Sequence, residues 1–217
     1  MSPELWRLLA DSLVETLVMV GISGLVAALL GIPLGVMLVI TDPDGLIPNA
    51  AVNRVAGAIV NAVRSTPFII LMVAIIPFTR LVVGTSIGTV AAIVPLTVAA
   101  TPFVGRIVEN ALREVDRGLI DAAHAMGATP RQIVTKVMIP EALPSIVGGL
   151  TITVVSLIGY SAMAGAIGGG GLGDLGIRYG YQRFLPEVML AVVAVLIVLV
   201  QGVQWLGDRT ARRVNHR

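Results

Sequence analysis

Five long apolar stretches separated by short polar segments dominate the sequence. A helix needs about 20 apolar residues to cross the hydrocarbon core of a membrane. Four of the stretches reach that length without a charged residue, whereas the second reaches it only if it begins near residue 56 and includes Arg64. The pattern therefore predicts five membrane-spanning helices, at about residues 16–41, 56–79, 82–105, 143–166 and 188–207.

The composition agrees with this pattern. Of the 217 residues, 56% are hydrophobic and only 13% are charged, whereas soluble domains carry about 25% charged residues. We therefore expect an all-α integral membrane protein with a single domain over residues 1–217. The chain has no cysteine, which excludes disulfide bonds and thiol chemistry, and its net charge of +2 is too small to indicate a nucleic-acid partner.

The basic residues are distributed unevenly between the two sides of these spans. If the N-terminus lies outside, the inner segments are about 42–55, 106–141 and 208–217. Together with Arg64 they hold all but four of the 15 lysines and arginines. Because basic residues concentrate on the cytoplasmic side of membrane proteins, this distribution predicts an external N-terminus and a cytoplasmic C-terminus. The four residues left outside are Arg7, Arg80, Arg178 and Arg183.

Residues 106–141 form the longest polar interruption, which we call the island. Within it, Asp121 is expected to cap a short helix over residues 122–126, because a carboxylate suits the unpaired amides at a helix start. Gly127 is expected to end that helix in the left-handed conformation. The small side chains of this helix, which permit close approach by another protein, are Ala122, Ala123 and Ala125.

A second short helix is expected to begin directly after the first. Thr129 is the N-cap candidate, Pro130 suits the first helical position and Gln132 completes a capping box. Pro140 is expected to mark the end of this helix. From the spacing alone, two interpretations of the two helices remain open: a docking surface for a soluble partner, or an amphipathic loop that lies on the membrane surface.

The island resembles the cytoplasmic "EAA" loop of ATP-binding-cassette importer permeases. That loop has an acidic residue, two alanines, a glycine and a hydrophobic-x-hydrophobic-Pro ending. Asp121 stands where the family usually has Glu, and Val137-Met-Ile139-Pro140 stands where it has Ile-x-Leu-Pro. Nearly the whole chain is similar to the methionine-importer permeases, which implies the fold of a type I importer permease. The other segments that carry this resemblance are 64–71, 76–80, 84–88, 92–97, 159–163, 168–173 and 179–181.

The resemblance implies a transport subunit of a bacterial plasma (inner) membrane that hydrolyses no ATP itself and holds no cofactor. Its expected partners are a second copy of itself, cytoplasmic ATP-binding subunits, an external substrate-binding protein and membrane lipid. Coupling to the ATPase is expected through residues 121–140. Methionine is the expected solute, and another amino acid or small solute is the alternative. The residues expected to dock on the ATPase are Asp121, Ala122, Ala123, His124, Ala125, Met126 and Gly127.

Other candidate sites are less specific. Arg64 either pairs with a group across the bundle, serves the pathway, or extends its long side chain to the membrane interface. The glycine-rich stretch 168–173 lacks the lysine of a phosphate loop and is expected to form a compact outer loop near the mouth of the pathway. Four residues of the fourth span are candidates for lining the pathway, with helix packing as the alternative. They are Ser156, Tyr160, Ser161 and Met163.

Two other classes of function fit the sequence less well. A membrane-embedded hydrolase needs a metal motif, a Ser–His pair or paired carboxylates inside the membrane. The only histidines are His124 and His216, both in segments expected to be cytoplasmic, and no carboxylate lies inside a predicted span. We therefore expect no catalytic residue and no metal site. A passive channel fits the composition but does not need a docking island.

Overall fold

The computed structural model describes residues 3–214, and within that range all regular secondary structure is helical, without a β-strand. The predicted all-α membrane-protein fold is confirmed. The α-helices are α1 (Pro3–Ile40), α2 (Ala50–Ser65), α3 (Phe68–Ala74), α4 (Ile76–Val83), α5 (Thr89–Arg113), α6 (Arg117–Ala125), α7 (Pro130–Ile133), α8 (Ile139–Ala166), α9 (Gly171–Leu175) and α10 (Pro186–Val214). Two π-helical segments, Val134–Met138 and Gly176–Tyr181, interrupt this series.

Four helices of the described chain are long and apolar enough to cross a membrane: α1, α5, the continuous helix Pro130–Ala166, and α10. The pair α2 and α3 passes the same test together, which gives five spans when the pair counts as one. Helix α1 has 38 residues and begins well before the predicted span at 16–41. Its first turns carry charged residues. These charges limit the part of the helix that hydrocarbon can cover, but they do not end the helix, so α1 is longer than the predicted span.

The second predicted span, over residues 56–79, differs from a single straight helix. The chain bends by 107° between α2 and α3. Pro67 explains the break, because a proline disfavours helical geometry in the residue before it. Thr66 accordingly has an extended backbone, with φ −89° and ψ 125°. A further break at Ile75 separates α3 from α4.

The expectation that Pro140 ends the second island helix is wrong. From α7 the chain runs through the π-helical segment Val134–Met138 into α8 without a break. The Ile139 N–H donates to the carbonyl of Val134, five residues earlier. Proline cannot donate a backbone hydrogen bond and clashes with a regular preceding turn. The wider π turn accommodates Pro140, so the island leads directly into a long membrane helix.

The centre of the bundle is formed by α1 and α5, which pack closely along their length. Gly31 makes this approach possible, since a Cβ there would lie 2.6 Å from the Cβ of Val104. Small residues at such positions let membrane helices come together and gain van der Waals contact. The large buried cluster that results includes Met19, Leu96, Val104 and Leu157. The island extends from one end of this core, and the glycine-rich stretch lies at the opposite end of α8.

Candidate functional site

The first island helix, α6, begins earlier than predicted. Its N-cap is Asp116, whose Oδ1 accepts a hydrogen bond from the Gly118 N–H at 2.6 Å. The prediction that Asp121 caps this helix is therefore wrong, because Asp121 is an exposed residue inside α6. Asp116 carries the same signal for a helix start, an Asp that can accept from the amides of the first turn. Sequence reasoning missed it by choosing the second of two suitable carboxylates.

The end of α6 agrees with the prediction. Gly127 has a φ of 78°. Its N–H donates to the His124 carbonyl at 2.9 Å, and the Ala128 N–H donates to the Ala123 carbonyl at 3.1 Å. This pair of bonds is the Schellman ending of a helix, which satisfies carbonyls that would otherwise lack a donor. The left-handed stop at Gly127 is confirmed.

The start of the second island helix is also confirmed. The Gln132 N–H donates to Thr129 Oγ1 at 3.4 Å, and the Thr129 N–H donates to Gln132 Oε1 at 2.9 Å. Pro130 stands at the start of the helix, where its missing N–H has no intrahelical partner to lose. The bend between α6 and α7 is thus held by hydrogen bonds on both sides, which fixes the orientation of α6.

The two faces of α6 differ sharply in exposure. Leu119 is 45% exposed and Met126 is 82% exposed, and Ala122 between them is also exposed. Spacings of three and four residues place these three side chains on one face of the helix. We call them the apolar stripe. The other exposed residues of the predicted docking segment are Asp121, His124, Ala125 and Gly127.

Ala123 lies on the opposite face and corrects the predicted small-residue surface. It is only 3% exposed and belongs to the same buried cluster as Val115 and Ile133. A partner protein cannot contact it directly. Its role is to let α6 pack closely against the membrane helices, while Ala122 and Ala125 remain available on the outer surface.

A polar network that sequence reasoning missed lies beside the island, at the end of α5. Glu109 is 5% exposed and accepts hydrogen bonds from Arg106 at 2.7 Å and from Arg113 at 3.0 Å. A buried carboxylate needs such partners, because burial of an unpaired charge is strongly unfavourable. Arg106 also donates to Asn61 Oδ1 of α2 at 2.6 Å. The spacing of Arg106, Glu109 and Arg113 along one helix is the signal that could have revealed the network.

The same network reaches the loop between α1 and α2. Arg113 contacts Asp42 Oδ2 at 2.6 Å. The hydrogen bond from Arg113, followed by one from the Asp44 N–H, lowers the pKa of the Asp42 carboxyl below its usual range. The last residue of α5 is thereby tied to the loop after α1, only three residues before the N-cap of α6. These contacts link the residues beside the island to the loop after α1, to α2 and to α5.

The four candidate pathway residues do not share one face of α8. Ser156, Tyr160 and Met163 follow helical spacing on one side. Ser161 points the other way, is 2% exposed, and its hydroxyl donates to the Ile158 carbonyl at 2.8 Å. It is therefore a packing residue in this structure.

The three residues on the first side have different surroundings. The Ser156 hydroxyl donates to the Ile152 carbonyl at 2.9 Å within the same helix. Tyr160 stacks on Phe68, with 4.7 Å between ring centroids, and lines a recess that also includes Arg64. Met163 is 48% exposed. These three residues remain candidates for contact with a solute or a second chain.

The glycine-rich stretch packs tightly onto its own chain. The Gly171 N–H donates to Glu15 Oε2 at 2.6 Å, and the Leu172 N–H donates to Thr16 Oγ1 at 2.9 Å. The Gly88 N–H, directly before α5, donates to the Gly168 carbonyl at 2.8 Å. The stretch therefore joins the beginning of α5 to α1 at the end of the bundle opposite the island.

Comparison with known proteins identifies the fold and the family. Residues 27–216 match the family described as "Binding-protein-dependent transport system inner membrane component". A probable D-methionine transport system permease protein of Vibrio cholerae is 59% identical over 203 residues, covering 94% of this chain and 90% of that protein. The D-methionine transport system permease protein of Escherichia coli K12 is 57% identical over 163 residues, or 75% of each chain.

Solved structures give the same result. A chain of the MetNI methionine ABC transporter, solved in inward-facing conformations, matches with a TM-score of 0.97 and 53% identity over 100% of both chains. An amino acid ABC transporter at 21% identity shares the fold, with a TM-score of 0.80 over 97% of this chain and 95% of that chain. The predicted fold of a type I importer permease is confirmed.

Proposed function

We propose that this chain, which belongs to the family of inner membrane components of binding-protein-dependent transport systems, is the methionine permease of an ATP-driven importer. The likeness to methionine transport permeases over nearly the whole chain supports this solute. A permease for another amino acid or small solute is the alternative. Two copies of the chain would form the pathway, and an external protein would deliver the solute.

The apolar stripe of α6 carries the proposal for coupling. Leu119, Ala122 and Met126 are exposed on a helix whose two ends are fixed by hydrogen-bonded caps. An exposed apolar face of this kind gains free energy when a partner removes it from water. We propose that a cytoplasmic ATP-binding subunit covers the stripe, with Asp121, His124, Ala125 and Gly127 at its margin. Ala123 would hold α6 against the membrane helices.

The connections of α6 suggest how ATP-driven closure of the partner would move the permease. On one side, α6 follows α5, whose last turn is tied to the loop after α1 through Arg113 and Asp42. On the other side, the island continues through the π-helical segment into the long helix ending at Ala166. Displacement of α6 would therefore act on several spans together and shift the pathway between inward-facing and outward-facing states. ATP hydrolysis itself would take place in the partner.

The proposed orientation follows from the distribution of charge. With the N-terminus outside and the C-terminus in the cytoplasm, the island and its arginines face the ATPase. The glycine-rich stretch then faces the external solute-binding protein. Accessibility of a single cysteine introduced near either terminus to a membrane-impermeant thiol reagent tests this orientation, because the natural chain contains no cysteine.

Uptake of radiolabelled methionine by vesicles that contain the complete complex tests the function. Accumulation is expected with ATP inside the vesicles and only background uptake without it. An excess of another unlabelled amino acid should leave the uptake unchanged. Uptake independent of ATP would indicate a passive channel, and ATP-dependent uptake of a different solute would support the alternative permease.

A further inference from the structure

A recess lies at the end of α5 remote from the island. It is bounded by α3 and α4, by the first turns of α5 and by the glycine-rich stretch, and it has a volume of about 260 Å³. Its lining is mainly apolar, and the side chains that line it include no charged residue. The lining residues used below are Met72, Thr79, Ala91 and Pro95.

Thr79 is an unusual polar residue in this recess. It is 4% exposed, and its hydroxyl is the only buried side-chain polar atom without a hydrogen-bond partner within residues 3–214. Thr97, Thr101 and Thr153 each donate their hydroxyl to the carbonyl four residues earlier, at 2.8 to 2.9 Å. The Thr79 hydroxyl does not make this local bond. A buried hydroxyl left without a partner is unfavourable by about 1–3 kcal/mol, so its presence requires an explanation.

A second polar group belongs to the same wall. Pro95 has no N–H and cannot donate the hydrogen bond that the Ala91 carbonyl would accept in a regular helix. Ala91 and Pro95 both line the recess and are buried. The wall of the recess therefore holds the unpartnered Thr79 hydroxyl and a residue whose carbonyl has lost its usual helical donor, in a mainly apolar lining that also includes Ser86.

We infer that this recess is a subsite for the side chain of the transported amino acid, with Thr79 donating to a weak acceptor on that side chain. The inference rests on the proposed transport function. A thioether side chain fits this recess, because its sulfur accepts hydrogen bonds weakly while the rest of that side chain is apolar. The sulfur of Met72 adds a polarisable surface. The absence of charge among the lining side chains keeps the ammonium and carboxylate of the amino acid outside the recess.

Binding of methionine and of norleucine separates the effect of the hydroxyl from that of apolar burial. Norleucine has a methylene in place of the sulfur and accepts no hydrogen bond. The measurement uses the purified permease–ATPase complex in lipid nanodiscs, without the external binding protein. The wild-type complex should bind methionine roughly fivefold more tightly than norleucine, the effect of one hydrogen bond of about 1 kcal/mol. Thr79→Val should abolish this preference, and Thr79→Ser should retain it.

Thermal unfolding distinguishes this role from a structural one. Removal of an unpartnered buried hydroxyl should leave the stability of the free complex unchanged or raised. A Thr79→Val complex that keeps its stability but no longer prefers methionine to norleucine supports the subsite. If Thr79→Val does not assemble, Thr79→Ala removes the same hydroxyl without added volume and serves in its place.

Three results would overturn the inference. In the first, the wild type and Thr79→Val show the same preference for methionine over norleucine. In the second, a wild-type complex that imports methionine does not bind it. In the third, a lipid co-purifies with the wild type and is released by Thr79→Val, while the preference for methionine persists. Failure of the wild-type complex to import methionine would instead contradict the proposed function. The two failures are therefore distinguishable.

Discussion

The island and the glycine-rich stretch are both connections that carry a short helix, but they differ in where their backbone amides find partners and in how far their apolar side chains are buried. In the glycine-rich stretch, the amides that begin α9 donate to Glu15 and Thr16 of α1, and Leu172 is 1% exposed. In the island, α6 caps itself through Asp116 and leaves Leu119 and Met126 exposed. The first connection is completed by its own chain. The second has capped helix ends but leaves apolar side chains uncovered by its own chain, as the proposed docking on another protein requires.

The largest effect on the free energy of unfolding should follow from adding a methyl group to the glycine-rich stretch. A Cβ on Gly173 would collide with the backbone of Ala162. Gly173→Ala should therefore lower the free energy of unfolding by about 3 kcal/mol, since backbone cannot move aside as a flexible side chain does. Thermal unfolding of the purified permease in detergent measures this loss.

The matched substitution in the island is Gly127→Ala. Nothing lies within 4 Å of a Cβ built on Gly127, and only its φ of 78° opposes a side chain. The expected loss is about 1 kcal/mol, the strain of a left-handed residue. Equal losses of unfolding free energy at Gly173 and Gly127 would contradict the contrast between the tightly packed glycine-rich stretch and the exposed island.

A charge in the apolar stripe should separate docking from folding. Met126→Asp places a carboxylate on a side chain that is 82% exposed, so the stability of the isolated permease should change by less than about 0.5 kcal/mol. Binding of the ATP-binding subunits should weaken by at least about 2 kcal/mol, or roughly 30-fold, as expected at the centre of an interface. Co-purification with the ATPase and ATP-dependent uptake report this loss.

Ile47→Asp is the control for the stripe. Ile47 is 53% exposed in the loop after α1, at the same end of the bundle, but lies outside α6. Its replacement should leave ATPase binding intact. Loss of binding in both variants would extend the docking surface beyond α6, and retention in both would remove the stripe from the interface.

The two caps offer a smaller, paired test. Glu15 and Asp116 both accept a backbone N–H at 2.6 Å, one from the glycine-rich stretch and the other from α6 itself. Glu15→Ala should lower the free energy of unfolding by about 2 kcal/mol, because a charged, partly buried acceptor is lost from a long-range contact. Asp116→Ala should lower it by about 1 kcal/mol, as for an exposed N-cap. A larger loss at Asp116 in thermal unfolding would reverse the contrast.

Local signals in the island were readable from the sequence because they act within a few residues. Gly127 and the pair Thr129 and Gln132 form their bonds inside one turn, and all were predicted correctly. The start of α6 was predicted wrongly, since Asp116 and Asp121 both suit an N-cap. Burial of Ala123 against the bundle is a tertiary effect, which no rule about helix ends contains.

The outcomes at Pro67 and at Pro140 were both missed by the sequence analysis. The bend at Pro67 arises because a proline disfavours helical geometry in the residue before it, whereas the difficulty at Pro140 is the N–H that a regular helix would need. Before Pro67 the chain turns away, whereas before Pro140 a π-helical segment absorbs the proline and the helix continues. The unpartnered hydroxyl of Thr79 depends on which residues surround it in the folded chain, so sequence periodicity could not reveal it.

The smallest effect concerns the contact that ties the base of the island to the loop after α1. Because the hydrogen bond from Arg113 lowers the pKa of Asp42, folding favours the charged carboxylate. The stabilisation is present above the pKa of an unfolded aspartate, about 3.9, and is lost as the pH falls through the lower pKa of the folded protein. Asp42→Asn should thus reduce stability at neutral pH by less than about 1 kcal/mol, since the pair is partly exposed to solvent. Thermal unfolding of both proteins across this pH range should show the difference vanishing in acid, and a difference that grows on acidification would exclude the ion pair as its cause.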